Sequence, residues 1–237
     1  MPHNEFNFKQ FRVCQDREVM KVGTDGVLLG SWVDPVDADY ILDIGTGTGL
    51  LALMMAQKCN GIIHAIDIDP EAYKQAQENF IDSPWRDRMW AFHISLQHYI
   101  LTCTYRYDLI ISNPPFFLHA HKAESESRNI ARHLDQSLNI PDLSDGVKHL
   151  LKPDGRFCVI FPFREGIKFT EYAETHGLYM NRITRVKTKA QSQDKRIMLE
   201  LSPIRKSLVE DELIIQDTEK KYTSQYKTLT SEFYLNS

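Results

Sequence analysis

The 237-residue sequence reads as an α/β protein built on a doubly wound, mostly parallel sheet of seven strands, with a short N-terminal extension before it. Three observations carry this expectation. Apolar runs of strand length alternate with helix-length segments from Tyr40 to His176, the rhythm of parallel strands joined by crossover helices. A glycine-rich turn, Gly45-Thr-Gly-Thr-Gly49, follows the first of these strands and opens the first helix. Asp67 and Asn113 stand, like that turn, at carboxyl ends of strands, where open α/β sheets keep their ligand crevice.

Each element has a local reason. The N-terminal segment holds a short strand near Phe11-Arg-Val13, a turn over Met20-Lys-Val-Gly-Thr-Asp-Gly26, and a short helix from Val27 to Trp32. Strands follow at Tyr40–Ile44, Ile62–Asp67, Met89–Ile94, Tyr107–Ser112 and Arg156–Phe161, with two more near Tyr179–Thr188 and Arg196–Leu201. The helix Leu50–Lys58 contains Leu51-Ala-Leu-Met-Met-Ala56, apolar on nearly all sides and therefore packed against the sheet. The next, Glu71–Phe80, starts behind Asp69 as cap and Pro70 at the first position. Helices near Leu143–Leu151 and Gly166–His176 flank the turn Lys152-Pro-Asp-Gly155 and its strand. Without internal repeats or a low-complexity linker, the chain is expected to form one domain, with residues 1–35 as extension and 36–237 as core.

At 42% hydrophobic the chain can bury a large core, and its longest wholly apolar run, Leu50 to Ala56, is far short of a membrane span. The start lacks a signal-peptide pattern, and Cys14, Cys59, Cys103 and Cys158 are scattered without C-x-x-C spacing, so reduced thiols and a cytoplasmic location are expected. The net charge of −4 argues against indiscriminate coating of nucleic acid. It hides an asymmetry. From Arg182 to Lys206 eight basic residues meet two acids, leaving +6 there and −10 elsewhere. Arg182, Arg185, Lys187 and Lys189 in that stretch, with Arg132 and His133 in the loop after Asn113, are candidates for phosphate contact, the alternative being a solvated hairpin. His119, His121 and His133 match no metal-site spacing, and no metal is expected. Trp85 and Trp90 read as packing residues.

The functional candidates fall into two groups. Gly45, Gly47 and Gly49 free the backbone to turn tightly and approach a ligand, in the order G-x-G-x-G with Asp43 ahead of them. This arrangement resembles the S-adenosylmethionine loop of Rossmann-like methyltransferases, which implies the methionine carboxylate on the loop amides and helix N-terminus and Asp43 facing the ammonium. Asp67, 18 residues after Gly49, can accept both ribose hydroxyls. The second group is Asn113-Pro114-Pro115-Phe116. The Asn113 side-chain carbonyl and the Pro114 backbone carbonyl can each accept one hydrogen of a planar –NH2, freeing the nitrogen lone pair for attack. Consecutive prolines hold both acceptors still, and Phe116 offers a face for a flat group.

Met20-Lys-Val-Gly-Thr-Asp-Gly26, Leu42-Asp-Ile-Gly-Thr-Gly-Thr-Gly49, Ser83-Pro84-Trp85, Asn113-Pro-Pro-Phe-Phe117, Ala131-Arg132-His133, Tyr222-Thr-Ser-Gln-Tyr226 and Phe233-Tyr-Leu235 together resemble the bacterial valine-tRNA adenine-N6 methyltransferase family along nearly the whole chain. The resemblance implies S-adenosylmethionine as cofactor, tRNA as partner, and N6 methylation of an adenosine beside the anticodon. It also implies catalytic roles for Asn113, Pro114, Pro115 and Phe116, and cofactor contacts at Thr24, Thr46, Ile68 and Leu96. No obligate protein partner is expected. Where related enzymes often carry Asp after the third strand, this chain has Ser95-Leu-Gln97, leaving Ser95 or Gln97 as acceptor for the adenine amine and Leu96 over the ring. Glutamine methylation of a protein, as by the Asn-Pro-Pro-Tyr enzymes acting on peptide release factors, is an alternative; a DNA adenine methyltransferase and a cofactor-binding module without catalysis are others.

Overall fold

The computed structural model describes residues 4–17, 21–115 and 138–235. Phe116, Arg132 and His133 lie outside them, as do His119 and His121. An eight-stranded sheet forms the body. In chain order its strands are β3 (Tyr40–Ile44), β4 (Ile62–Asp67), β5 (Met89–His93), β6 (Tyr107–Ser112), β7 (Leu151–Pro162), β8 (Tyr179–Lys187), β9 (Arg196–Ser202) and β10 (Val209–Ile214). Spatially they run β10-β8-β9-β7-β6-β3-β4-β5, all pairings parallel except those of β9 with β7 and β8. A separate antiparallel pair, β1 (Glu5–Asn7) and β2 (Arg12–Cys14), forms the extension.

Both faces of the sheet are buried, as a parallel sheet requires. Helices α1 (Thr24–Trp32), α2 (Leu50–Lys58), α3 (Pro70–Ile81) and α7 (Ser224–Thr230) cover one face; α4 (Leu96–Thr102), α5 (Ile140–Leu150) and α6 (Phe163–Thr175) cover the other. Alternate strand residues feed the two layers: Ile41, Leu109 and Ile111 pack with the first set, Leu42, Ile110 and Val159 with the second. Helix α2, apolar through Ala56, packs beside α1 on the sheet, and α1 approaches it closely because Gly26 and Gly30 face it. A Cβ on Gly26 would come 2.9 Å from Leu50 Cδ2.

Four features differ from the sequence expectation. The sheet has one strand more, because β10 is acidic and mostly exposed; it is selected by its partner β8 rather than by hydrophobic pattern. Helix α1 begins at Thr24, not Val27, since Gly26 serves close packing rather than a turn. The Lys152–Gly155 turn lies inside β7, whose register against β6 shifts between Tyr107 and Leu109. Helices α4 and α7, too short and mixed for a periodic signal, are additions.

The extension is fastened down. Asn79 of α3 accepts from the Cys14 amide (2.9 Å) and donates to the carbonyls of Cys14 (2.9 Å) and Thr48 (2.8 Å), tying β2 to the glycine-rich turn. Arg17 pairs with Glu71 at 2.7 Å and Glu78 at 2.5 Å on the same helix. Phe8 stacks on Tyr234, and the Lys9 amide donates to the Phe233 carbonyl at 2.9 Å, so the two ends of the chain meet.

Candidate active site

The sheet reverses winding between β3 and β6, and the register aligns Ile44 with Ser112 at their carboxyl ends. The Ser112 hydroxyl donates to the Ile44 carbonyl at 2.7 Å. The glycine-rich turn and Asn113-Pro-Pro115 therefore leave the sheet side by side, at the position where open α/β sheets form a crevice. A cavity of about 550 Å3 opens there. Thr24, Gly45, Thr46, Gly47, Asp67, Ile68, Leu96, Asn113 and Pro115 all line it. Ser95 and Gln97 do too, together with Lys21, Asp25 and Ile94. Pro114 is buried behind the rim.

The three glycines divide their work. Gly45 and Gly47 have φ of +71° and +58°, and a Cβ on either would meet nothing within 4 Å, so their backbone faces open space over the cavity. Gly49, also left-handed at φ +83°, sits against α3, where a Cβ would lie 2.6 Å from the Phe80 ring. It closes the start of α2 against α3 and stands behind the cavity, although the sequence grouped it with the ligand contacts. The turn is braced by Gly49 N–H donating to the Thr46 carbonyl (2.9 Å) and by the Gly45 and Thr46 amides donating to Ile66 (2.9 and 3.1 Å).

Asp43 is fully buried beneath this turn. Its Oδ2 accepts from the Thr46 hydroxyl at 2.7 Å, while Oδ1 has no hydrogen-bond partner among the described residues. Burial pushes its carboxyl up to about 7, against the opposing pull of the Thr46 hydroxyl and the Ala52 amide, and the nearby Asp67 adds to the rise. A buried carboxylate held by so few donors is what a ligand ammonium would satisfy. Asp67 accepts from Gly47 N–H through Oδ2 (2.8 Å) and from Asp69 N–H through Oδ1 (2.9 Å). Each oxygen keeps a lone pair for one ribose hydroxyl. Burial holds this carboxyl, too, above the usual range. The space left by Gly45 and Gly47 before the N-terminus of α2, the buried carboxylate of Asp43 and the free lone pairs of Asp67 fit the carboxylate, ammonium and ribose of S-adenosylmethionine.

At the far end of the cavity Ser95 caps α4, accepting from His98 N–H at 3.3 Å. Gln97 donates through Nε2 to Asp142 of α5 at 2.8 Å, which fixes its amide and leaves Oε1 as an acceptor. Leu96 is buried against Gly146. Asp142 is the residue that sequence reasoning missed; it lies 45 positions from Gln97, and only the packing of α4 on α5 makes them neighbours.

Three cations of the basic stretch are neutralised by one strand. Arg182 stands 3.7 Å from Asp211, Arg185 2.9 Å from Glu210, and Lys187 2.5 Å from Glu212, all acids of β10. Arg182 also stacks over Trp32 at 4.2 Å. Lys189 lies just past the end of β8.

Comparisons with known proteins agree with this architecture. The methyltransferase small domain family matches residues 21–161. A tRNA1(Val) (adenine(37)-N6)-methyltransferase of Phocaeicola vulgatus is 45% identical over 236 residues, covering 100% of both chains. A protein of the same name from Flavobacterium johnsoniae is 46% identical over 97% of this chain and 99% of its own. A crystal structure of a predicted O-methyltransferase from Agrobacterium tumefaciens superposes with a TM-score of 0.70 at 16% identity, over 88% of this chain and 96% of that one, a likeness of fold alone. With a domain match over more than half its length and full-length identity of this order, the chain belongs to the methyltransferase small domain family and to the tRNA1(Val) (adenine(37)-N6)-methyltransferase family.

Proposed function

We propose that the chain methylates the exocyclic N6 amine of an adenosine in tRNA, adenosine 37 beside the anticodon of a valine tRNA, as its relatives are named. The observation that carries this reading is the register of β3 and β6, which puts Asn113 and the glycine-rich turn on one cavity. S-adenosylmethionine, when bound, supplies an electrophilic methyl on a sulfonium. The N-terminus of α2 would hold its carboxylate, in the space that Gly45 and Gly47 leave open, with Asp43 towards its ammonium, Asp67 at its ribose, and Gln97, steadied by Asp142, at its adenine amine. Thr24 and Leu96 close the site against water. Asn113 and the Pro114 carbonyl take the two hydrogens of the target amine and turn its lone pair towards the methyl, and Phe116 supports the base. A base that leaves its stack does so at least cost from a loop, so an anticodon loop suits this site. The free cysteines, and the lack among the described residues of any helix able to cross a membrane, support a cytoplasmic enzyme. The clasp between N- and C-terminal segments supports one domain over residues 1–237, with 1–35 capping the cofactor.

Transfer of labelled methyl from S-adenosylmethionine into tRNA from a strain lacking the gene, followed by nucleoside mass spectrometry, tests the reading. N6-methyladenosine at one tRNA is expected. Asn113→Ala should cut turnover by about 100-fold or more while the cofactor dissociation constant stays within about threefold. Label in protein and none in RNA would instead indicate glutamine methylation.

A further inference from the structure

Thr24 and Asp25 form a wall with a cavity on each side. One is the site described above; the other is a hollow of about 290 Å3 bounded by the ends of β8 and β10, the start of β9, and α7. Two tyrosine rings define it. Tyr222 and Tyr226 stack with centroids 4.6 Å apart and planes 25° from parallel. Tyr226 is anchored, only 4% exposed, whereas Tyr222 is 53% exposed and presents a free face. Its backbone is fixed as well. Gln216 and Tyr222 form an antiparallel bridge, and the Thr223 hydroxyl donates to the Ile214 carbonyl at 2.6 Å while accepting from Tyr226 N–H at 3.1 Å. Lys195 lines the same hollow. Arg185 and Lys187 are occupied by acids of β10, but the exposed Lys195 has no ion pair among the described residues. Arg196 beside it is oriented by Asp25 at 2.7 Å, which also pins the wall between the cavities.

We propose that this hollow is a subsite for the nucleotide adjoining the target adenosine, its base laid on Tyr222 and its phosphate drawn to Lys195. The proposal rests on the reading of the chain as an RNA adenosine methyltransferase. An exposed ring braced by a buried one, in one hollow with a free cation, takes a base and its phosphate together. The two cavities share one pair of wall residues, Thr24 and Asp25, so the second opens directly beside the first. A target base can turn into its pocket only after losing its neighbour's stacking, and Tyr222 gives that neighbour a replacement surface. The subsite thus offsets part of the cost of unstacking and reads the strand beside the target.

The test uses the full chain with an anticodon stem-loop transcript under saturating S-adenosylmethionine. Tyr222→Ala should raise the KM for the stem-loop about tenfold, the loss of one stacked base, with kcat and the cofactor dissociation constant within about twofold. Tyr222→Phe, which keeps the ring, should remain within about twofold of wild type in all three. An abasic residue on one side of the target adenosine should cost the wild type the same factor and cost Tyr222→Ala nothing further. A Tyr222→Ala KM equal to that of the wild type, or penalties that multiply with an abasic residue on either side, would overturn the subsite. A wild-type enzyme that moves no methyl into RNA would sink the underlying reading and the subsite with it, and this control separates the two failures.

Discussion

Asp43 and Asp67 are a pair of carboxyls under one glycine-rich turn, both raised by burial. Their sign has consequences. Asp43 titrates near 7 in the folded protein against 3.8 for the free side chain, so between those values the folded state holds a proton that the unfolded chain has lost. Without cofactor, stability therefore declines as pH rises from about 4 to about 7 and levels off above, with Asp67 acting in the same direction. An ammonium beside Asp43 favours its charged form. Cofactor affinity should then increase with pH across that interval, and binding at pH 6 should release protons. Calorimetry in two buffers of different ionisation enthalpy measures this, and an identical heat in both would remove the ammonium from Asp43. Asp67 makes a separate prediction. Its loss removes charge-assisted bonds to two hydroxyls, so Asp67→Ala should weaken cofactor binding on the order of 10- to 100-fold. An unchanged dissociation constant would exclude ribose recognition there.

At the scale of elements, β10 is the unexpected part. Its three acids lie alongside the cations of β8, at 43–53% side-chain exposure, where ion pairs contribute little to stability. Their main effect is to mask positive charge. Changing Glu210, Asp211 and Glu212 to their amides should cost on the order of 1 kcal/mol in denaturant unfolding, since each exposed pair is worth roughly 0–1 kcal/mol. The same change frees Arg182, Arg185 and Lys187 towards solvent. Affinity for RNA should grow several-fold at low salt, and its fall with salt should steepen by about 0.7 in log–log slope for each phosphate gained. An unchanged slope would mean that this edge of the sheet stays clear of RNA. Helices α4 and α5 show the complementary case, in which Gln97 of α4 lines the cavity and Asp142 of α5 holds its amide in place.

For the whole molecule, the clasp between the chain's two ends matters because the extension carries the wall of the site. Phe233 is completely buried in the same core as Phe8, Val27 and Leu51, and its carbonyl receives the Lys9 amide. Phe233→Ala should destabilise the protein by about 3–5 kcal/mol, as large-to-small changes at fully buried aromatics do. Denaturant unfolding followed by circular dichroism would show it; a loss under about 1 kcal/mol would mean that the C-terminal segment is only loosely docked.

The division between sequence and structure runs along the range of the interactions. β3, α2, β4 and β6 were legible to the residue because apolar runs, a glycine-rich turn and capping residues are local signals that burial on both faces leaves intact. The same locality made Gly45, Gly47, Asp67 and Asn113 readable as site residues: each follows a strand, and parallel sheets bring such positions together. What pairs with what across the fold was not local. Whether the cations of β8 face solvent or the acids of β10, whether Gly49 meets a ligand or Phe80, which carboxylate steadies Gln97, and that Tyr222 shares a wall with the catalytic cavity through Thr24 and Asp25 all depend on contacts between residues distant in the chain. Local signals specify the parallel strands from β3 to β6, the helices α2 and α3 between them, and the chemistry at the strand ends. Only the tertiary structure decided which charges remain free and which rings are exposed, because side-chain pairing is set by the packing of elements and carries no periodic signature along the chain.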